Sequence, residues 1–202
     1  MKGKLRWYYS TMGAGKTSLA LLKSYQFEET GVKTILLKPA VDTRDFGVVK
    51  SRAISGTKKC IVFEHNDNLY KTLVDIVGDH YKTKNIVVFV DEIQFATPDH
   101  IVELWKFAKE FKIDVYTFGL KTDADNNLFT PIPKLVIYSD SIKEIKSKCK
   151  YCDNKATTHL MYINDNPVIS RDYSIKVGDV SGSTRYESLC QCCRSRILSE
   201  NV

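Results

Sequence analysis

No apolar run in this 202-residue chain approaches the roughly 20 residues that a membrane-crossing helix needs. The opening stretch, MKGKLRWYYS, also lacks the apolar core of a secretory signal. Both absences lead to the expectation of a cytoplasmic protein with no membrane partner. A block of basic residues is missing too. The net charge is +6, yet from Asp140 onward ten Lys and Arg stand against eight Asp and Glu, so the excess is dispersed. A nucleic-acid footprint would appear as a stripe or block, interleaved with aromatic residues where single strands bind. No nucleic-acid partner is therefore expected, and a small anionic substrate accounts equally well for a modest excess. Internal repeats and low-complexity tracts are absent. The chain has only six cysteines, four of them late and in two C-x2-C pairs, which in a cytosolic setting suggests metal rather than disulfides. With 43% hydrophobic residues, the length suits one substantial core and a small appended module.

What is present begins with Ser10-Thr11-Met12-Gly13-Ala14-Gly15-Lys16-Thr17. This run lies between an apolar-aromatic stretch, Leu5 to Tyr9, and an apolar-periodic segment from Ser18. That is the strand–loop–helix setting of a phosphate-binding loop. Successive backbone N–H groups and a helix N-terminus there face a phosphate chain and favour negative charge. Gly15 lets the backbone approach the phosphates, Lys16 reaches the β- and γ-phosphates, and the Thr17 hydroxyl suits Mg²⁺. The usual opening glycine is replaced by Ser10. The chain is expected to bind a nucleoside triphosphate.

The first two-thirds alternates strand-like and helix-like segments. Strands are expected at Leu5–Tyr9, Thr34–Lys38, Ile86–Val90, Val115–Phe118 and Leu135–Tyr138. Helices are expected over 16–29, with Gly31 ending the first, over 69–78, and from Thr97-Pro98 to Phe111, where Thr is a sound N-cap and Pro suits the first turn. The stretch from Val41 to Thr57 reads as an irregular loop. This alternation predicts an α/β fold, a RecA-like P-loop domain with a mainly parallel sheet and a ligand at the carboxyl ends of its strands. Residues 1–140 form that unit. A smaller zinc-binding unit spans 141–196, and 197–202 is a tail.

The apolar strand Ile86–Val90 ends in Asp91-Glu92. Asp91 is placed to hold Mg²⁺ opposite Thr17, and Glu92 to take a proton from whatever attacks the γ-phosphate. Water as attacker makes an ATPase and a substrate hydroxyl makes a kinase, and the dipeptide does not separate them. Cys149-Lys-Tyr-Cys152 and Cys190-Gln-Cys-Cys193 offer four thiolates for tetrahedral Zn²⁺, with no open position, so the zinc is structural. Cys192 breaks the spacing and is a non-ligand, and Cys60 is a small buried apolar residue. His65, His80, His100 and His159 sit in no motif.

These elements, in this order, resemble the type II thymidine kinases, the zinc-containing family of human cytosolic and bacterial enzymes. The resemblance runs through Tyr8 to Thr17, Asp42-Thr43-Arg44, Ser51-Arg52, Asp91-Glu92-Ile93-Gln94-Phe95, Phe118 to Asp123, and Arg185-Tyr186 between the cysteine pairs. It implies transfer of the ATP γ-phosphate to the 5′-hydroxyl of thymidine, with deoxyuridine as a further acceptor, for nucleoside salvage. Glu92 matches the catalytic base. Gln94 and Phe95 lie near the nucleoside, Met12 near the thymine methyl, and Leu120 in the pocket wall. Asp42 and Arg44 match residues near the phosphates and metal. The segment between the cysteine pairs looks like the family's lasso, with Gly182 in the closing loop and Tyr186 packed on the base or sugar. ATP, Mg²⁺ and structural Zn²⁺ are implied, as are a homotetramer and feedback inhibition by dTTP. Two departures stand out. Ala124 and Asp125 occupy positions where the family usually has Phe and Arg, and Ser181-Gly182 replaces a Gly pair. A zinc-ribbon P-loop ATPase and a nucleotide-binding sensor are the alternative readings.

Overall fold

The computed structural model describes residues 3–42, 47–51, 53–78, 85–168 and 184–200. Its centre is a sheet of six strands: β1 (Leu5–Ser10), β2 (Lys33–Pro39), β5 (Ile61–Phe63), β6 (Ile86–Val90), β7 (Asp114–Leu120) and β8 (Ser141–Glu144). Their order is β5-β2-β6-β7-β1-β8, and every pairing is parallel. The run Ile-Val-Val-Phe-Val of β6 is buried throughout, as is β7, because a parallel sheet covered by helices has no wet face.

The two faces carry different helices. Leu69, Leu73 and Val77 of α2 (Leu69–Val77), Ile101, Leu104 and Phe107 of α3 (Pro98–Phe111), and Leu135 of α4 (Ile132–Tyr138) pack with Leu5, Trp7, Val88 and Val115. On the opposite face Ala20 and Leu21 of α1 (Lys16–Glu29) meet an aromatic layer of Tyr8, Phe89, Tyr116 and Phe118. Odd and even strand positions thus feed two separate cores, as a period of two requires. Thr97 caps α3 as expected: its hydroxyl accepts from the His100 N–H at 3.1 Å, while His100 Nδ1 accepts from the Thr97 N–H at 3.2 Å.

Two expectations are corrected. Leu135–Tyr138 is not a strand but the end of α4. Proline at its start suits a first helical turn, and the buried positions Ile132 and Leu135 are three apart, whereas Val136 and Ile137 are both exposed. The stretch after Val41 is not wholly irregular, since β3 (Val48–Lys50) pairs antiparallel with β4 (Thr57–Lys59). The last strand of the main sheet, β8, follows position 140 and lies beside β1.

Beyond it, β9 (Thr158–Ile163), β10 (Asn166–Pro167) and β11 (Thr184–Leu189) form an antiparallel sheet in the order β10-β9-β11, followed by α5 (Gln191–Glu200).

Candidate functional site

The carboxyl ends of β1, β6 and β7 lie side by side, and the sequence-marked residues collect there. Between β1 and α1 the chain turns through Gly13 and Gly15, whose φ values of 72° and 83° are reached at little cost only without a Cβ. Gly15 is also the N-cap of α1 and supplies no side chain to the first-turn amides, which leaves them directed at the loop. Lys16 is buried and folds back across this loop. Its Nζ donates to the Thr11 carbonyl at 3.0 Å and to Ser10 Oγ at 3.2 Å, so the serine that replaces the opening glycine holds the lysine.

Thr17 Oγ1 donates to Asp91 Oδ2 at 2.8 Å. The other oxygen, Asp91 Oδ1, is buried with no hydrogen-bond partner. Burial, reinforced by the neighbouring Glu92 carboxylate, pushes Asp91 up to about 7. A buried carboxylate with one free oxygen beside a threonine hydroxyl is an oxygen-donor set that fits a hard divalent cation.

Glu92 has φ 51° and ψ 41°, a left-handed conformation that costs a non-glycine residue about 1 kcal/mol or more. Its neighbours fix it there. Gln94 Nε2 donates to Glu92 Oε2 at 2.5 Å, and Gln94 Oε1 accepts from the Leu120 N–H at 3.0 Å. Gln94 is buried, so it braces the acidic residue against the end of β7. Gly119 makes room for this brace: a Cβ there would stand 2.5 Å from Gln94 Oε1 and 2.8 Å from Ile93 Cγ2. Phe95 meets Phe129 edge-on with ring centres 5.8 Å apart, and Leu120 is buried nearby in sequence and strand. No sequence motif marked Phe129, although it follows the departing segment. Ala124 brings no ring; its carbonyl accepts from Arg194 Nη2 at 2.9 Å. Asp125 donates its N–H to Asp123 Oδ1 at 2.9 Å within a tight turn.

Asp42, at the end of β2, is buried and paired with buried Lys38 at 3.6 Å. Ser51 Oγ lies 2.7 Å from Ser18 Oγ in the first turn of α1. Arg44, Arg52 and Gly182 lie outside the described residues, as does the middle of the expected lasso, residues 169–183.

The four cysteines of the two pairs come together. Their sulfurs all lie within 4.8 Å of one another, with Cys152 Sγ 3.6 Å from Cys190 Sγ and 3.7 Å from Cys193 Sγ. A disulfide would need about 2.05 Å. Edges near 3.7 Å instead match a tetrahedron with metal–sulfur arms of about 2.3 Å, so the set fits zinc. Cys192 is exposed on α5 and outside the cluster, and Cys60 is half-buried, partly as expected.

A two-strand ribbon separates this cluster from the phosphate loop. Leu160, Tyr162 and Leu189 pack with Cys149, Cys190 and Cys193. The alternate positions, His159 on β9 and Ser188 on β11, bond to Met12 instead. Tyr186 is half-buried on β11, opposite Met161, and by strand period shares the face of Ser188. His159 was not visible as a site residue in the sequence, because a histidine at an alternating strand position carries no spacing signal. His100, by contrast, is a helix cap.

Comparison with known proteins matches this arrangement to one family. The family model described as thymidine kinase covers residues 3–194. A thymidine kinase of Streptococcus pyogenes is 33% identical over 189 residues, 93% of this chain and 95% of that protein. One from Rhodopirellula baltica is 34% identical over 190 residues, covering 93% of this chain and 86% of its own length. The Agrobacterium fabrum thymidine kinase is 33% identical over 189 residues, with 93% and 94% covered. Phosphate loop, acidic pair and cysteine quartet all fall inside the matched span, and on that extent of likeness the chain belongs to the thymidine kinase family.

Proposed function

We propose that this chain is an ATP-dependent thymidine kinase, giving dTMP from thymidine, with deoxyuridine as the second acceptor to test. The observation that carries the reading is the pairing of Thr17 with Asp91 beside Glu92, within reach of a loop whose amides suit phosphates. In this reading Ser10 to Thr17 cradle the triphosphate. Thr17 and Asp91 would hold Mg²⁺, which when bound would supply charge neutralisation at the phosphates. Asp42 and Arg44 act near the same phosphates.

Glu92 accepts the proton of the nucleoside 5′-hydroxyl as that oxygen forms its bond to the γ-phosphorus. The bridging P–O bond to the β-phosphate breaks, and ADP leaves with the electron pair. Lys16 offsets the charge on the transferred group. Such reactions gain most of their rate from positioning and electrostatics, and Gln94 serves this by holding Glu92. Met12, Gln94, Phe95, Leu120, Gly182 and Tyr186 line the nucleoside side. The pair of aromatic rings at Phe95 and Phe129 supports an apolar base pocket despite Ala124.

Zinc on Cys149, Cys152, Cys190 and Cys193 is structural in this reading, since four protein thiolates leave no open position. Residues 1–140 form the ATP-binding unit together with β8, which pairs with β1 in the same sheet, and the rest of 141–196 forms the lasso unit, its last helix α5 running on into 197–202. A cytoplasmic homotetramer under feedback by dTTP completes the proposal, resting on family membership. Among the described residues no helix is long and apolar enough to cross a membrane.

Transfer of labelled γ-phosphate from ATP to thymidine, compared between wild type and Glu92→Gln, tests the reading. Product formation lost in the variant supports it. ATP hydrolysis with no nucleoside product would replace it with an ATPase.

A further inference from the structure

In the β9–β11 pair His159 stands directly opposite Ser188. Opposed residues of an antiparallel pair share one face, and here both reach the same residue of the phosphate loop. The Met12 N–H donates to His159 Nδ1 at 3.4 Å, and the Met12 carbonyl accepts from Ser188 Oγ at 2.8 Å. Met12 makes no other backbone hydrogen bond among the described residues. One residue earlier, Thr11 Oγ1 and Ser147 Oγ lie 2.6 Å apart. A donor N–H facing Nδ1 calls for the unprotonated nitrogen there, so the ring that accepts from Met12 is neutral and carries its proton on Nε2.

We infer that His159 and Ser188 are positioning residues that clamp both peptide groups of Met12, so that the cysteine module supports the phosphate loop for ATP. The loop needs such support. It turns through two left-handed glycines just after Met12 with no regular backbone pairing of its own, and its amides must converge on the phosphates at binding. Ordering it only at that moment would cost affinity. The ribbon supplies order beforehand: its other face is packed on the cysteine cluster, which fixes the strands from behind. The clamp rests on the reading of Ser10 to Thr17 as the ATP site, and the experiment separates the two.

The test is equilibrium titration of the intact, zinc-loaded chain with Mg²⁺·ATP, alongside metal content, unfolding midpoint and steady-state kinetics. His159→Leu and Ser188→Ala should each weaken ATP binding about fivefold, the scale of one net hydrogen bond. KM for ATP should rise with kcat within about twofold, and zinc content should hold at the wild-type value. His159→Asn should recover most of the affinity, because its side-chain oxygen can take the place of Nδ1. The double variant should lose less than the product of the two single losses, since both act on one residue.

Wild-type affinity in Ser188→Ala, which removes only a hydroxyl and is the decisive variant if His159→Leu loses its metal, would overturn the clamp. So would an Asn variant as weak as the Leu variant. A wild-type chain that binds no ATP would overturn the reading of the loop, and the clamp with it.

Discussion

Thr17 Oγ1 and Asp91 Oδ2 are 2.8 Å apart, which joins the first turn of α1 to the end of β6. The threonine satisfies one carboxylate oxygen and leaves the other buried without a partner. A charge held in that state lowers the stability of the ligand-free chain by about 1–3 kcal/mol. Asp91→Asn should therefore raise the unfolding midpoint without ligand by a few degrees, on the order of 2–4 °C per kcal/mol for a chain of this size. The same variant should lose at least about a hundredfold in phosphoryl transfer, as the cation site is gone. Thermal unfolding and transfer assays on one preparation check both. A lower midpoint with transfer retained would rule this account out.

Gly119 has its place because Gln94 does. Alanine there would put a methyl group 2.5 Å from Gln94 Oε1, and the amide that holds Glu92 would have to move. Ser10 to Thr17, the proposed ATP residues, belong to β1 and α1, so ATP affinity should stay within about twofold while kcat falls by roughly 10²-fold, the lower range for losing a positioned base. Gln94→Leu should give the same split. An unchanged kcat in Gly119→Ala would show that the brace does not matter.

The cysteine cluster makes a stoichiometric prediction. One zinc per chain should be present, and Cys152→Ser should lose it, with a drop of several degrees in the unfolding midpoint. Cys192→Ser should retain it, since that thiol is exposed and outside the cluster. Metal analysis and unfolding by chelator report both. The loss should reach the active site too, because Leu160, Tyr162 and Leu189 pack on the cysteines while the ribbon's other face bonds to Met12.

Local chemistry made most of the site legible in advance. Gly13, Gly15, Lys16, Thr17 and the Asp91-Glu92 pair are close in sequence or follow a strand with a strong apolar pattern, so their meeting at one end of the sheet can be read from short segments. Cys149 and Cys152 announce themselves by spacing. What stayed hidden depends on long-range register. Gln94 bonding to the Leu120 N–H, and His159 meeting Met12 across 147 positions, follow from which strands lie side by side. The segment of α4 reads as a strand for a related reason: Leu135-Val-Ile-Tyr has strand-like residues, and only the burial of Ile132 and Leu135 together shows the helical face.

His159 offers a pH dependence whose sign is fixed by its surroundings. Burial, with the Lys16 charge adding to it, lowers the ring to about 4, from 6.5 in an unfolded chain. Asp123 pulls the other way and Arg194 adds to the lowering. Between pH 6.5 and 4 the unfolded chain thus binds a proton that the folded chain does not. Stability is present above that window and is lost as pH falls through it. From pH 7.5 to 5 the loss should be about 2 kcal/mol from this group. Asp91, raised to about 7, acts in the opposite direction over part of the same range, so the wild-type curve alone mixes the two. The difference between wild type and His159→Asn removes what they share. The Asn variant should be the less stable at pH 7.5, and its deficit should shrink by about 2 kcal/mol at pH 5. Parallel curves in urea unfolding at the two pH values would mean that the ring titrates in the folded chain as it does in the unfolded one, so that at pH 5 Met12 is left to Ser188.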